Sequence, residues 1–231
     1  MAEAFARAGA DVIIASRKQE SCDNAAAEIA AATGRRIVGV ACHVGRWSDC
    51  DQLVDTAYDA FGRVDVLVNN AGMTPLYPAL VEVTEELWDK VIGVNLKGAF
   101  RLCALFGTRM HADGSGSIIN ISSAAAVQPN PNSLPYVAAK AGLNALTIGL
   151  TRTFAPSVRA NVIMPGPFLT DIAANWDMEA FNERARQNIP LQRAGAPDEI
   201  VGAALYLASD ASSYTNGAVI KIDGGAAWSP G

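Results

Sequence analysis

The sequence predicts an α/β fold in which a doubly wound parallel sheet is covered by helices on both faces. Short runs rich in β-branched residues alternate with longer segments in which apolar residues recur every three to four positions. The strands are almost continuously apolar, as in Val64–Val68, which is typical of burial on both faces. No linker or change of composition interrupts the 231 residues, so we expect a single domain over residues 1–231.

The first half of the chain alternates regularly between the two patterns. An Ala-rich helix that ends at Gly9 comes first, and Ser48 is suited to cap the third helix. The predicted elements are, in order, helix Met1–Ala8, strand Val12–Ala15, helix Lys18–Ala32, strand Arg36–Ala41, helix Ser48–Phe61 and strand Val64–Val68.

The second half repeats the alternation with longer helices. Thr84 is suited to an N-cap, and Pro135 to the first turn of a helix. The predicted elements are helix Thr84–Met110, strand Ser117–Ile121, helix Pro135–Phe154, strand Arg159–Met164, a partly helical segment Asp171–Asn188, helix Pro197–Ser209 and strand Ala218–Ile222.

Composition excludes several classes of protein. The net charge of −5 and the balance of 18 basic against 23 acidic residues argue against a surface that binds nucleic acid or anionic membrane. No apolar run approaches the roughly 18 residues of a membrane span, and the N-terminus lacks a signal-peptide core. The four cysteines form no Cys-x-x-Cys pair and only two histidines occur, so we expect reduced thiols, no zinc site and a cytoplasmic location.

Three side chains form the strongest candidate site. Tyr136 and Lys140 are four residues apart and therefore share one face of a helix. Ser123 follows a strand, at the sheet edge where open α/β proteins bind ligands. A neighbouring ammonium would lower the pKa of the Tyr136 phenol towards neutrality, and the Ser123 hydroxyl could bind a substrate oxygen. Taken alone, the Tyr-x-x-x-Lys spacing is more often a surface pair, and serine is common at strand ends.

Further short motifs surround these three residues in a fixed order. The ordered set consists of Asn69-Asn70-Ala71-Gly72, Asn95, Ile121-Ser122-Ser123, Tyr136 with Lys140, Pro165-Gly166-Pro167-Phe168-Leu169-Thr170, and Asp223-Gly224-Gly225. This set resembles the short-chain dehydrogenase/reductase family over essentially the whole chain. The similarity points towards its 3-oxoacyl-(acyl-carrier-protein) reductase branch, whose members differ in specificity, and it implies a Rossmann-like fold.

The resemblance implies a catalytic role for four residues. Tyr136 would be the general acid in reduction or the base in oxidation, and Lys140 would hold the nicotinamide ribose and lower the pKa of the tyrosine. Ser123 would orient the carbonyl or hydroxyl group, and Asn95 would position a water. The alternative for Asn95 is a hydrogen bond within its own helix.

The resemblance also implies a set of cofactor contacts. Asn69, Ala71 and Gly72 would lie along a nicotinamide cofactor, and Pro165, Gly166, Phe168 and Thr170 would cover the nicotinamide. At the end of the second strand in the family's order, the chain reads Ser16-Arg17 in place of an acid, which favours NADP(H) over NAD(H) because Arg17 can pair with a 2′-phosphate. The alternative is that Arg17 is a solvated charge at the start of a helix.

Two positions depart from the family pattern. The family's first strand and its glycine-rich turn are missing from the sequence. We expect either that the given start is an internal methionine or that the chain is a truncated form. The internal methionine is favoured, because the other site residues remain. The missing strand is central in that fold and would leave two rows of backbone groups unpaired. His43, followed by Val44, stands where the family has an aspartate near adenine, and could bind adenine or be an inert loop residue.

The substrate and partners are less defined by sequence. We expect a small alcohol or ketone, including a 3-oxoacyl thioester as one candidate, in a pocket formed by residues 73–80, 124–132 and 168–189. We expect a homodimer or homotetramer through helices Thr84–Met110 and Pro135–Phe154. The alternative function is a non-catalytic subunit or interaction protein that lacks cofactor.

Overall fold

The computed structural model describes residues 1–170, 173 and 176–228 of the chain. Six parallel strands occur in this part: β1 Val12–Ser16, β2 Ile37–Ala41, β3 Val66–Asn69, β4 Gly116–Ile121, β5 Val158–Pro165 and β6 Val219–Ile222. The eight α-helices of the described residues are α1 Ala2–Arg7, α2 Gln19–Thr33, α3 Trp47–Phe61, α4 Glu85–Ile92, α5 Gly98–Ala112, α6 Leu134–Thr153, α7 Met178–Asn188 and α8 Val201–Ala208. This confirms the predicted α/β class.

The strands form two sheets instead of the single sheet predicted from the alternation. One sheet pairs β1 with β2, and the other has the order β3-β4-β5-β6. In the described part of the chain, no strand pairs with the second edge of β1 or of β3. The break falls at the position where the family resemblance predicts the missing central strand.

The two sheets nevertheless share layers of helices. One hydrophobic cluster joins Ile13 of β1 and Val40 of β2 to Leu67 of β3 and Ile118 of β4, and helices α3 and α5 contribute to it. A second cluster, on α8, β4 and β5, also includes Phe5 of α1. Helices therefore connect the two sheets: α3 and α5 pack on both through the first cluster, and α1 contacts both β1 and α8.

Several predicted boundaries are corrected. Arg46 is the N-cap of α3 in place of Ser48, because the helix begins at Trp47. The Asp49 carboxylate in the first turn accepts a hydrogen bond from the His43 amide. Thr84 caps α4 as predicted, with its hydroxyl accepting from Leu87 N at 3.1 Å. The last predicted helix begins at Val201, since residues 197–200 form turns. In the predicted segment Asp171–Asn188 the structure has α7, while residues 171, 172, 174 and 175 lie outside the described part.

The long predicted helix Thr84–Met110 is continuous but irregular. A π-helical turn, Gly93–Lys97, separates α4 from α5. The whole stretch Glu85–Ala112 has 28 residues and a mean hydropathy of 1.2 in its most apolar window, so by length and composition it could cross a membrane, contrary to the expectation from sequence. It packs against α3, α6 and β4 within the α/β fold, as the core helix of such a fold does.

Candidate active site

The strand β4 and the helix α6 bring together the three strongest candidate residues. Ser123 is the second residue after the end of β4, and α6 starts at Leu134 with Pro135 in its first turn. Tyr136 and Lys140 are one turn apart on α6, and the Lys140 ammonium lies 5.7 Å from the centre of the Tyr136 ring. The structure therefore places Ser123, Tyr136 and Lys140 at one end of the four-stranded sheet, as predicted.

Lys140 is the most deeply buried charged residue of this group. Its side chain is 3% exposed, and its Nζ donates a hydrogen bond to the Ile121 carbonyl at 2.8 Å. Burial lowers the pKa of Lys140 to about 8, because the charged form loses its water. An ammonium has three donors, so two N–H groups are left for other partners.

The pKa of Tyr136 differs from the prediction. Burial raises the pKa of the Tyr136 phenol, and a hydrogen bond with Ser123 partly opposes the rise. The expected lowering by Lys140 is wrong for this structure, because the Lys140 ammonium faces the Ile121 carbonyl and the loss of water around the phenol dominates. Tyr136 is consequently a protonated phenol at neutral pH, with a hydroxyl suited to donating a proton.

Asn95 lies in the π-helical turn and is 1% exposed. Its Nδ2 donates to the carbonyls of Met73 and Val91, each at 2.9 Å, and its Oδ1 accepts from the Met73 amide at 3.1 Å. The bond to Val91 is the hydrogen bond within the helix that sequence left as an alternative. The two bonds to Met73 fix the segment that follows β3, and the water-positioning role of Asn95 stays a prediction.

The segment after β3 passes close to the polar groups of the site. A Cβ atom at Gly72 would lie 3.1 Å from Asn95 Oδ1 and 3.5 Å from Lys140 Nζ. Ala71 is exposed beside it, whereas Asn69 is turned into the core, where its Nδ2 donates to Asn120 Oδ1 at 2.8 Å. Gly72 thus leaves space against Asn95 and Lys140 that any side chain would reduce.

The segments after β5 and β6 lie against each other. Gly166 N donates to the Ile222 carbonyl at 3.0 Å, and a Cβ atom at Gly166 would come within 2.8 Å of Asp223 Cα. Pro165 ends β5, while Phe168 packs on Gly195 and Thr170 N bonds back to the Phe168 carbonyl at 2.9 Å. These predicted cofactor residues therefore form a folded segment at the same sheet end as Ser123.

The two-stranded sheet carries the remaining predicted cofactor residues. Arg17 and Ser16 are exposed at the carboxyl end of β1, where the Ser16 hydroxyl also contacts Cys22 Sγ at 3.2 Å. His43 follows β2, and its Nδ1 accepts from the Gly45 amide at 3.2 Å. This local bond fits the loop-residue interpretation of His43 and leaves the adenine interpretation open. Val44 packs directly against Gly98, at the start of α5.

Two structural features of the site were missed by sequence reasoning. The buried hydroxyl of Tyr77 donates to the Pro131 carbonyl at 2.6 Å and accepts from Leu134 N at 3.0 Å, which fixes the loop after β3 to the start of α6. The π-helical turn around Asn95 was predicted as ordinary helix. A tyrosine within an apolar loop is the only sequence signal for the first feature, and we find no signal for the second.

Comparisons with known proteins agree with this geometry. The family model described as enoyl-(acyl carrier protein) reductase matches residues 1–227. The rabbit (Oryctolagus cuniculus) dehydrogenase/reductase SDR family member 4 is 36% identical over 228 residues, which cover 98% of this chain and 87% of the relative. The 3-oxoacyl-(acyl-carrier-protein) reductase of Thermotoga maritima is 39% identical over 229 residues, with 96% and 89% covered.

Solved structures show the same likeness. The NADPH-dependent 3-quinuclidinone reductase of Rhodotorula rubra superposes with a TM-score of 0.90 at 32% identity, covering 97% of this chain and 84% of that one. The matches span nearly the whole chain, and they include the segments that carry Ser123, Tyr136 and Lys140. Relatives such as the 3-quinuclidinone reductase are named as reductases of ketones, which supports an oxidoreductase of alcohols or ketones. The chain belongs to the short-chain dehydrogenase/reductase family.

Proposed function

We propose that the protein is an NADP(H)-dependent oxidoreductase that interconverts a secondary alcohol and a ketone. The observation that carries the proposal is the placement of Ser123, Tyr136 and Lys140 at the carboxyl end of β4 and on one face of α6. Two hydroxyl groups and a buried ammonium at one point can bind an oxygen atom and exchange a proton with it.

Each of the three side chains has a distinct role in this reaction. Tyr136, whose phenol is held protonated by burial, donates its proton to the carbonyl oxygen in reduction and takes it back in oxidation. The Ser123 hydroxyl binds the same oxygen and stabilises the charge that develops on it. The Lys140 ammonium, fixed at the Ile121 carbonyl, has two further N–H groups with which to hold the ribose of the cofactor. A bound nicotinamide would supply or accept the hydride.

The residues of both sheets fit a dinucleotide cofactor. At the four-stranded sheet the space beside Gly72 is bounded by Asn95 and Lys140, so a polar ribose could bind there, with Ala71 and Tyr136 alongside. The side chain of Asn69, predicted to contact the cofactor, is instead held in the core by Asn120. On the opposite side, Pro165, Gly166, Phe168 and Thr170 would cover the nicotinamide. At the two-stranded sheet, Ser16, Arg17, His43 and Val44 would hold the adenosine part.

The preference for NADP(H) rests on Arg17. Its guanidinium is exposed at the end of β1, where it could form charge-assisted hydrogen bonds with a phosphate. No acidic residue that would repel a 2′-phosphate occurs between Ser16 and Gln19. The similar reductase of Rhodotorula rubra is described as NADPH-dependent, which agrees with this assignment.

The substrate is proposed to be a ketone without a charged group near the carbonyl. The loops at this sheet end expose large apolar side chains: Leu76, Leu80, Val127, Leu169 and Leu191. A 3-oxoacyl thioester, the substrate type named for the Thermotoga relative, is one member of this class. We further propose a cytoplasmic homodimer or homotetramer that associates through the continuous helical stretch of α4 and α5 and through α6.

The experiment is a reduction assay with NADPH and with NADH against apolar methyl ketones, a 3-oxoacyl thioester and a charged 2-oxo acid. We expect turnover that is faster with NADPH and that increases with the apolar chain of the ketone. Turnover restricted to the charged acid would contradict the substrate class. Failure of the folded chain to bind NADPH or NADH would contradict the proposed function and favour a non-catalytic role.

A further inference from the structure

The end of β4 is joined to α6 by three consecutive hydrogen bonds. Asn120 Nδ2 donates to Thr147 Oγ1 at 2.9 Å, and the Ile121 carbonyl accepts from Lys140 Nζ at 2.8 Å. Ser122 Oγ then donates to the Lys140 carbonyl at 3.2 Å. Residues 120–122 immediately precede Ser123, so the strand is fixed to the helix up to the residue before the first catalytic hydroxyl.

The groups in these bonds are shielded from water. Asn120 and Thr147 are fully buried, and Ser122 is 2% exposed. Thr147 Oγ1 also donates to the Leu143 carbonyl at 2.7 Å, and Asn120 Oδ1 accepts from Asn69 Nδ2 at 2.8 Å. The connection therefore runs without interruption from β3 through β4 to the middle of α6.

The geometry of the candidate site depends on how α6 lies on β4. Ser123 belongs to the strand end, whereas Tyr136 and Lys140 belong to the helix, so a shift of the helix changes every distance between them. A misplacement of about 1 Å can reduce a reaction rate by about 10²-fold. Hydrogen bonds weaken steeply as their distance and angle depart from the ideal, so the three bonds favour one position of α6 on β4.

We propose that Ser122 and Thr147 are positioning residues that hold α6 against the end of β4 and thereby set the spacing of Ser123, Tyr136 and Lys140. This inference rests on the proposed function of that site. Neither residue is on the exposed side of the site. Ser122 acts on Lys140 through the main-chain carbonyl that it binds, and Thr147 acts through α6, the helix that carries Tyr136 and Lys140.

The strand β4 also contains a matched control. Ser117 is 2% exposed, like Ser122, and its hydroxyl donates to the Leu207 carbonyl at 2.7 Å. It lies near the opposite end of the same strand, where the bond fixes α8 instead of α6. Loss of the Ser117 hydroxyl therefore removes an equivalent buried hydrogen bond with no effect on the placement of α6.

The first test compares steady-state kinetics of Ser122→Ala, Thr147→Val and Ser117→Ala. We expect kcat to fall about tenfold in the first two variants, with KM for ketone within about threefold of the wild type, because positioning affects the reacting state more than binding. Ser117→Ala keeps the wild-type kcat although its unfolding midpoint decreases similarly. Thr147→Ser, which keeps the hydroxyl, restores kcat.

The second test does not require turnover. Lysine labelled with ¹³C at Cε is titrated by NMR in the same variants, and the Lys140 signal is assigned with Lys140→Met. Lys140 faces the phenol of Tyr136 and the Ile121 carbonyl, and we expect its pKa to move up from about 8 in Ser122→Ala as water reaches the looser contact. Ser117→Ala leaves the titration unchanged.

The two tests separate this inference from the proposed function. Wild-type kcat and an unchanged Lys140 titration in Ser122→Ala and Thr147→Val would overturn the positioning role. An equal loss of kcat in Ser117→Ala would overturn it as well, because a general loss of stability would then explain the effect. If the wild type reduces none of the ketones, the proposed function fails, and the NMR titration still decides whether Ser122 positions Lys140.

Discussion

The two sheets of this protein have similar apolar strands in different surroundings. In the four-stranded sheet, Ile118 and Ile119 of β4 are fully buried, and β4 has paired strands on both sides. In the two-stranded sheet, Ile13 and Ile14 of β1 are half-buried, and β1 is paired on one side. The strand sequences alone do not distinguish the two sheets, because burial depends on the neighbours that each strand finds.

The difference between the sheets corresponds to a division of proposed roles. The four-stranded sheet holds a buried polar network and the side chains proposed to transfer a proton, which would need fixed positions and a low dielectric. The two-stranded sheet exposes Ser16 and Arg17, whose task would be to select a charged cofactor from water. We therefore expect changes in the first sheet to alter the rate of the chemical step and changes in the second to alter the choice of cofactor.

The largest effect should come from removing the Tyr136 hydroxyl. Tyr136→Phe keeps the ring but removes the proton donor, so we expect kcat to fall by about 10²–10⁴-fold. The control is Tyr58→Phe on α3, which removes a hydroxyl that bonds to Asp113 at 3.2 Å and should leave kcat unchanged. Comparable turnover in Tyr136→Phe and the wild type would break the assignment of chemistry to the four-stranded sheet.

The next effect is on the rate of amide hydrogen exchange, which should differ between the unpaired strand edges and the middle of the four-stranded sheet. Val12 N donates to the carbonyl of Arg36, the residue immediately before β2. Because successive residues of a strand point to opposite sides, Ile13 N points to the unpaired side of β1. By the same alternation, Val68 N points to the unpaired side of β3. We expect these amides to exchange with solvent at least about 10³-fold faster than Ile119 N, whose strand is paired on both sides.

Hydrogen exchange measured residue by residue by NMR gives the comparison. Ile14 N, which should point to β2, serves as the internal control within the same strand. Equal protection of Ile13 and Ile119 would mean that β1 and β3 have partners that the described fold lacks, and the division between two sheets would not hold.

A third effect concerns the stability cost of the buried ammonium. Burial lowers the pKa of Lys140 to about 8 from its ordinary 10.5, which corresponds to about 3 kcal/mol against the charged form. Below pH 8 both the folded and unfolded chains hold the proton, so the full cost is present. Between pH 8 and 10.5 the unfolded chain binds the proton that the folded chain has lost, so wild-type stability rises with pH.

Lys140→Met removes this cost and should raise the free energy of unfolding at pH 7 by up to about 3 kcal/mol. The advantage over the wild type should shrink as the pH rises from 8 to 10.5. Urea denaturation at several pH values measures both quantities, and Lys90→Met on the exposed side of α4 controls for loss of a lysine. A variant that is less stable at pH 7 would show that the bond to the Ile121 carbonyl outweighs desolvation.

The smallest effect should come from crowding the site by one methyl group. Gly72→Ala places a Cβ atom 3.1 Å from Asn95 Oδ1, so we expect about a tenfold loss of kcat/KM, equivalent to roughly 1.4 kcal/mol. Gly149→Ala on α6 is the matched control, since its Cβ atom would meet no atom within 4 Å and alanine favours helix. Unchanged kinetics in Gly72→Ala would indicate that the cofactor does not bind beside Gly72.

The sequence was sufficient to predict much of this arrangement because its signals are local. Alternating patterns located the strands, Thr84 marked a helix start, and the order of short motifs led to Ser123, Tyr136 and Lys140. The pKa direction of Tyr136 could not be predicted in this way, because it depends on the burial of the phenol and on which oxygen Lys140 binds. The Asn120–Thr147 bond joins residues 27 positions apart and has no local pattern.

The central claim is that the two sheets divide chemistry from cofactor choice, and a fluorescence titration with NADPH and NADH tests it most directly. In Tyr136→Phe we expect the Kd for NADPH to stay within about threefold of the wild type. In Arg17→Ala we expect the Kd for NADPH to rise about 10- to 100-fold and that for NADH to stay unchanged, as the loss of charge-assisted hydrogen bonds would give. Equal weakening of both cofactors in Arg17→Ala, or loss of NADPH binding in Tyr136→Phe alone, would contradict the claim.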